Sequence, residues 1–290
     1  MRVLIASDLS DASDEALRQG LTFDSGENVA VCHVTALLGT HTFLPQDYVI
    51  DVQQQLALQP RLADALRAQV ARIKPGAEPH IFIDVGRDYA QIVERADEWK
   101  AELLVVGSHG HTGLKHWLLG SVAERVVRHA KCRVLVARRA AEGAVLAATD
   151  LSDPSLPAIE AGAREAERRG KKLVVVHAIQ SREGDAAMGL LGALPALDPP
   201  DVREARRALA RQIIDSALTR FGAKAEVVVA DEDALTEITR LAESLPAELV
   251  VVGTKGRSGL SRVALGSVAA GVVEHTHCSV LVVRQHASQG

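Results

Sequence analysis

One 37-residue stretch occurs twice in the chain and limits what it can fold into. It reads AELLVVGSHGHTGLKHWLLGSVAERVVRHAKCRVLVA at 101–137 and AELVVVGTKGRSGLSRVALGSVAAGVVEHTHCSVLVV at 247–283, aligned without a gap and identical at 21 of 37 positions. Each copy has an apolar run, a glycine-rich loop, a Gly-Ser pair opening a helical segment, and a second apolar run. That is strand, loop, helix, strand. The first loop carries Gly107, Gly110 and Gly120-Ser121, and the second carries Gly253, Gly256 and Gly266-Ser267. A chain of 290 residues with such a block late in each half should hold two copies of one domain.

The loop has the chemistry of an anion site. Glycines let backbone N–H groups approach a ligand without a Cβ in the way. The helix that follows begins with unpaired N–H groups and the positive end of its dipole. Ser121 and Ser267 sit where an N-cap is expected, and the same hydroxyl could donate to a phosphate oxygen. Ser121 with Glu124 reads as a capping box, which Ala270 breaks in the second copy. The competing reading is a structural turn with a plain serine cap. A turn alone would not need the nine-residue spacing, although duplication alone could preserve it.

The pattern Gly-x2-Gly-x9-Gly-Ser, then a helix and a Cys-x-Val-Leu-Val strand, resembles the ATP-binding type of universal stress protein. The resemblance spans essentially the whole chain as a tandem member, with domains at 1–138 and 143–286. It implies two Rossmann-like α/β domains of the adenine nucleotide alpha hydrolase-like (HUP) type. Each would be a five-stranded parallel sheet of order 3-2-1-4-5 with helices on both faces. It also implies ATP, AMP or ADP as ligand, with Mg or Mn on the phosphates as an option.

The remaining elements agree with that architecture. Val3–Ala6 and Val145–Ala148 are fully apolar runs that stop at Ser7-Asp8-Leu9-Ser10-Asp11 and Thr149-Asp150-Leu151-Ser152-Asp153. Such runs read as buried parallel strands. Asp8 and Asp150 then lie at strand carboxyl ends, either as helix caps or as ligand contacts. In the family the aspartate here meets the nucleoside. Helices are expected at 12–22, 53–73, 88–99, 155–169, 200–220 and 233–244. Second strands are Val29–Val34 and Leu173–Ala178, and third strands are Ile81–Val85 and Glu226–Ala230. Last strands are Arg133–Ala137 and Ser279–Val283, and 138–143 is the linker. His33 and His177 read as satisfied core histidines. The resemblance places Val34 and Ala178 near the adenine ring.

The two halves differ in detail. Gly86-Arg87-Asp88 follows the third strand in the first half, where the second has Asp231-Glu232-Asp233. Those acids either face the pocket and disfavour a polyphosphate or cap the next helix. The second glycine loop carries Lys255 and Arg257, with Arg262 beyond. The first has His109, His111 and His116, which are mostly uncharged near neutral pH. Loop charge favours the second site and the strand-three loop favours the first. The histidines read as loop polarity rather than metal ligands. The apolar stretch Met188–Pro195 is either a lid, a partner contact or a packed excursion.

Composition excludes several classes. A net charge of −4 gives no electrostatic reason to expect nucleic acid. No apolar run approaches the ~18 residues of a membrane helix, and no signal peptide is legible. Cys32, Cys132 and Cys278 form no C-x-x-C and suit packing in a reducing compartment, so a cytoplasmic protein is expected. There is no P-loop, and no nucleophile, base and oxyanion site can be assembled. The expectation is a nucleotide-binding sensor or regulatory binder for stress. The alternatives are a slow Mg- or Mn-dependent ATPase or nucleotidyl-handling enzyme, and a scaffold with one or both sites empty. In the strand order that the resemblance implies, the apolar last strands would be sheet edges, so the halves are expected to pair through them as the family's dimers do, with a homodimer of the chain as a further option. Gly120→Val and Gly266→Val should each abolish nucleotide binding in their own half and leave the circular dichroism unchanged. Calorimetric titration of the two variants checks this.

Overall fold

The computed structural model describes residues 1–23, 26–35, 52–109, 119–139, 142–179, 199–254 and 265–284. The chain divides into two compact units, Met1–Arg139 and Ala140–Gly290. The first runs β1 (Val3–Ala6), α1 (Asp14–Gly20), β2 (Val29–Thr35), α2 (Val52–Ile73), β3 (His80–Val85), α3 (Asp88–Glu98), β4 (Leu103–Gly107), α4 (Ser121–His129) and β5 (Arg133–Ala137). The second runs β6 (Val145–Ala148), α5 (Leu156–Arg169), β7 (Leu173–Ala178), α6 (Pro200–Arg220), β8 (Glu226–Ala230), α7 (Ala234–Ser244), β9 (Leu249–Gly253), α8 (Ser267–His275) and β10 (Ser279–Val283). Among the described residues, no helix is long and apolar enough to cross a membrane.

The sheet order is β3-β2-β1-β4-β5 in the first unit and β8-β7-β6-β9-β10 in the second, as expected. Every pairing within a unit is parallel. Val3 pairs with Val29 on one side and Leu103 on the other, and Val145 with Leu173 and Leu249. The central strands are apolar along their whole length because both faces are covered. Leu4, Ile5, Leu104, Leu146 and Val250 are fully buried. Helices α1 and α2 touch each other and lie on one face, and α3 and α4 pack together on the other. In the second unit α5 with α6 and α7 with α8 repeat that layering. Chain order reverses beside β1 and beside β6, which opens one crevice per sheet at the carboxyl ends of β1 and β4 and of β6 and β9.

Element ends depart from the expected ones where local hydrogen bonding overrides periodicity. Helix α1 begins at Asp14 rather than residue 12, because 10–14 form tight turns in which Ser13 N–H donates to Ser10 O (3.1 Å) and Asp14 N–H to Asp11 O (3.3 Å). Helix α5 is twice as long as α1, 14 residues against 7. It ends where Gly170 takes a left-handed conformation (φ 63°) and Lys171 N–H reaches back to Ala166 O (2.8 Å). Burial pushes the Cys32 thiol up to about 12, with the Asp84 carboxylate adding to the shift. That suits a packing role in β2. Cys132 and Cys278 are also free thiols.

Helices α1 and α5 lie unusually close to their sheets at glycines. A Cβ on Gly162 would stand 2.8 Å from the Ala147 Cβ and 3.3 Å from Leu173 Cδ1. Alanine has no rotamer to move, so the helix itself must lift. Gly162→Val should therefore destabilise the second unit by about 1–3 kcal/mol through overpacking. Chemical denaturation followed by hydrogen exchange in β6 and β9 reads it.

Candidate functional site

The crevice in the first unit is built on the turn that leaves β1. Ser7 N–H donates to Cys32 O (2.9 Å), which carries the β1–β2 ladder one step past the strand and sets Asp8 beside the end of β2. Asp8 Oδ1 accepts the Ser10 N–H (3.1 Å) and the Ser10 hydroxyl. Between them Leu9 is left-handed at φ 66°, a conformation that costs a leucine about 1–2 kcal/mol. Its N–H is held by Ser7 Oγ (3.0 Å). The second unit repeats the turn. Asp150 Oδ1 accepts Ser152 N–H (3.0 Å), Leu151 sits at φ 64°, and its N–H bonds Thr149 Oγ1 (3.0 Å). One oxygen of each aspartate thus serves the turn rather than a helix end, since the N-caps of α1 and α5 are Ser13 and Ser155. The strained leucine in both copies is invisible to sequence patterns. Strain of this kind gathers at ligand sites.

The histidines of the second strands are part of the same support. His33 Nδ1–H donates to Ser7 O and His177 Nδ1–H to Thr149 O, both at 2.9 Å. These are satisfied histidines, as expected, and each tethers the carbonyl just before the aspartate. Val34 and Ala178 lie at the carboxyl ends of β2 and β7, half-buried.

Gly107 ends β4 against that turn. A Cβ there would meet Ala12 O at 3.2 Å and His109 O at 3.3 Å, so the close approach of two loops accounts for this glycine. The next residue turns the chain toward the helix. Ser108 is buried, donates its N–H to Ala137 O (3.2 Å), and accepts the Gly120 N–H at its carbonyl (2.8 Å). Thr254 does the same in the second unit, with Val283 O (3.1 Å) and Gly266 N–H (2.8 Å). Sequence reading overlooked Ser108 and Thr254, because they work mainly through their backbone.

The helix starts require a correction. The N-cap residues are Gly120 and Gly266, both extended, with Ser121 and Ser267 as the first helical residues. The serines are not caps, and Ser121–Glu124 is not a capping box. Glu124 instead forms an i,i+4 pair with Arg128 (3.0 Å). The first intrahelical donors are Glu124 N–H to Gly120 O (3.0 Å) and Ala270 N–H to Gly266 O (2.9 Å). The amides of 121–123 and 267–269 precede them and have no acceptor inside the helix. Both serine side chains are exposed and make no hydrogen bond among the described residues. Nor does the backbone demand a glycine here: φ is −67° at Gly120 and −62° at Gly266, open to any residue. A Cβ on Gly266 would meet only Thr254 O, at 3.4 Å, among the described residues. Gly86, at φ 149°, is the contrasting case in which conformation does require glycine.

Two of the three strand-three acids are engaged. Asp233 caps α7, accepting Thr236 N–H at 3.0 Å, and Asp231 pairs with Arg207 of α6. Strand β8 is also separated from the β6–β9 crevice by β7. Asp8, Val34, Gly107, Gly120 and Ser121 therefore share the carboxyl edge of the first sheet, and Asp150, Ala178, Gly253, Gly266 and Ser267 that of the second. Gly110, Lys255, Gly256 and Arg257 lie outside the described residues, as do His111, His116, Arg262 and Met188–Pro195.

With this geometry in hand, the comparisons are specific. The model of the universal stress protein family matches residues 1–138 and 143–284. The chain belongs to the universal stress protein family. A Mycobacterium tuberculosis universal stress protein is 31% identical over 305 residues, covering 98% of this chain and 97% of that protein. A second from the same species is 28% identical over 228 residues, 74% of this chain and 68% of its own length. Among solved structures, a universal stress protein from Archaeoglobus fulgidus superposes with a TM-score of 0.66 at 21% identity, covering 98% of each chain. The family model matches once in each half, as the tandem organisation expected from the repeat requires.

The Asp233 cap distinguishes the second half of this universal stress protein. Asp233→Ala should cost the second unit about 1 kcal/mol and leave the first unchanged. Thermal unfolding with unit-resolved hydrogen exchange measures it.

Proposed function

We propose that this universal stress protein binds an adenine nucleotide at the carboxyl edge of each sheet and acts as a nucleotide-responsive regulatory binder in stress. The phosphates would lie on the amides of 121–123 and 267–269, with the Ser121 and Ser267 hydroxyls donating to them. The nucleoside would lie beside Asp8 and Asp150, toward Val34 and Ala178. The supporting observation is the pair of glycine N-caps. Neither is explained by its dihedral angles, and each stands at a helix start whose amides and serine hydroxyl have no partner among the described residues. A glycine at that point keeps a Cβ out of the path of an anion approaching the amides.

Asp231 is paired with Arg207 and Asp233 caps α7, which supports a polyphosphate in the second half, so both halves are assigned a site. A triphosphate would bring its own magnesium or manganese. The residues of the helix start supply donors only, and leave the metal to the phosphate oxygens.

Protein purified without added nucleotide and then denatured should release AMP, ADP or ATP into a mass spectrum, and titration with ATP should show saturable binding. Ser121→Ala and Ser267→Ala should each weaken their own site about tenfold, the size of one hydrogen bond to a charged group. No released nucleotide together with no heat up to millimolar ATP would refute the proposal.

A further inference from the structure

The two aspartate turns have the same shape but are held differently. In the first unit a buried glutamine from α2 reaches into the turn. Gln69 is 6% exposed, and its Oε1 accepts the Ser7 hydroxyl at 2.7 Å. Its Nε2 donates to Asp14 Oδ1 (2.9 Å) and to Ser13 Oγ (3.1 Å), and Ser13 passes its own proton to Ser10 O (2.7 Å). Each polar hydrogen of the set has an acceptor. The direction of the amide is set by Asp14, since a flipped Gln69 would turn its oxygen on a carboxylate. Asp14 in turn is clamped by Arg72 of α2, whose Nη1 and Nη2 donate to its two oxygens, each at 2.8 Å. Burial works against the Asp14 carboxylate, but the hydrogen bonds from Arg72 and Gln69 and the charges of Arg72 and Arg18 outweigh it and hold its pKa below the usual range.

The second unit has none of this. Leu156 stands where Asp14 does, directly after the serine equivalent to Ser13. Thr149 Oγ1 bonds Ser155 Oγ (2.8 Å), and Ser155 donates to Ser152 O (2.9 Å). No α6 side chain joins these two hydroxyls among the described residues. The same strained leucine is therefore held by two hydroxyls in one half. In the other it is held by a hydrogen-bonded brace running to a different helix.

We infer that Gln69 is a positioning residue for the first site, fixing the Asp8 turn in its ligand-bearing form before anything binds, so that the two sites of one chain differ in preorganisation. The inference rests on the nucleotide reading above for its ligand, but not for its mechanics. A buried network satisfied at every member rigidifies what it touches, and a site already ordered spends less of its binding energy on ordering. The first site binds without remodelling its turn, and the second orders Asp150 on binding.

The test uses Gln69→Met, which keeps the volume and removes every hydrogen bond of the amide. Hydrogen exchange on the ligand-free full chain should show amides 9–14 exchanging at least tenfold faster in the variant, with 151–156 unchanged. In a Gly266→Val background, which leaves only the first site, Gln69→Met should weaken ATP about tenfold. In a Gly120→Val background the same change should leave ATP affinity as it was. A purely structural glutamine would lower the melting temperature without moving the ratio of the two affinities at a temperature where both variants are folded. If Gln69→Met unfolds the first unit, Gln69→Asn, which keeps the amide and shortens its reach by one methylene, should show the same exchange and affinity effects in smaller measure. Unchanged exchange at 9–14, or equal loss of ATP affinity at both sites, would overturn the inference. Absence of ATP binding in the parent chain would defeat the nucleotide reading and leave the exchange comparison to decide the brace.

Discussion

In each half the sheet brings to its carboxyl edge three leading helix amides that have no acceptor within their own helix. An α-helix cannot satisfy its own first turn, and here the usual remedy, a side-chain cap, is missing at α4 and α8. Glycine occupies the N-cap in both. These donors add to the positive end of the helix dipole. The sheet then fixes where that charge lies. Parallel pairing sends β1 and β4 to the same edge, and the Ser108 and Thr254 carbonyls hold the glycine N–H groups at 2.8 Å. The proposed anion site would thus be a consequence of backbone geometry, with side chains mainly keeping clear or keeping the turns in place.

The two halves share this frame and diverge in its supports. The first has a glycine at strand three and a glutamine brace on its aspartate turn. The second has a capping aspartate, an ion pair at Asp231, and a helix α5 two turns longer than its counterpart. Duplication kept the backbone amides and let the scaffolding vary. If both proposed sites bind, their unequal supports would give one chain two responses to a single ligand concentration.

Much of this was legible in the sequence. Continuous apolar runs such as Leu173–Ala178 and Ser279–Val283 end at the expected residues, because a strand buried on both faces stops where polarity begins. Sheet order came from the family resemblance rather than from pattern, since periodicity is silent on which strands are neighbours. Helix starts were less legible. A Gly-Ser pair reads equally well with either residue as cap, and only backbone dihedrals assign Gly120 and Gly266. Asp233 could have faced a pocket or capped a helix, and the choice depended on Thr236 three residues on. Gln69 carried no signal, because its partners are 55 to 62 positions away in the chain. The left-handed Leu9 and Leu151 contradict leucine's own preference, and sequence propensities conceal conformations imposed from outside.

The central claim is that main-chain amides at two helix starts hold the same anionic group. Amide-resolved NMR of the full chain titrated with ATP tests it most directly. The largest shifts are expected at the N–H groups of Ser121, Val122 and Ala123 and of Ser267, Val268 and Ala269, with smaller ones at Asp8 and Asp150. Saturating ATP that moves neither set, or moves only residues away from the carboxyl edges of the sheets, would contradict it.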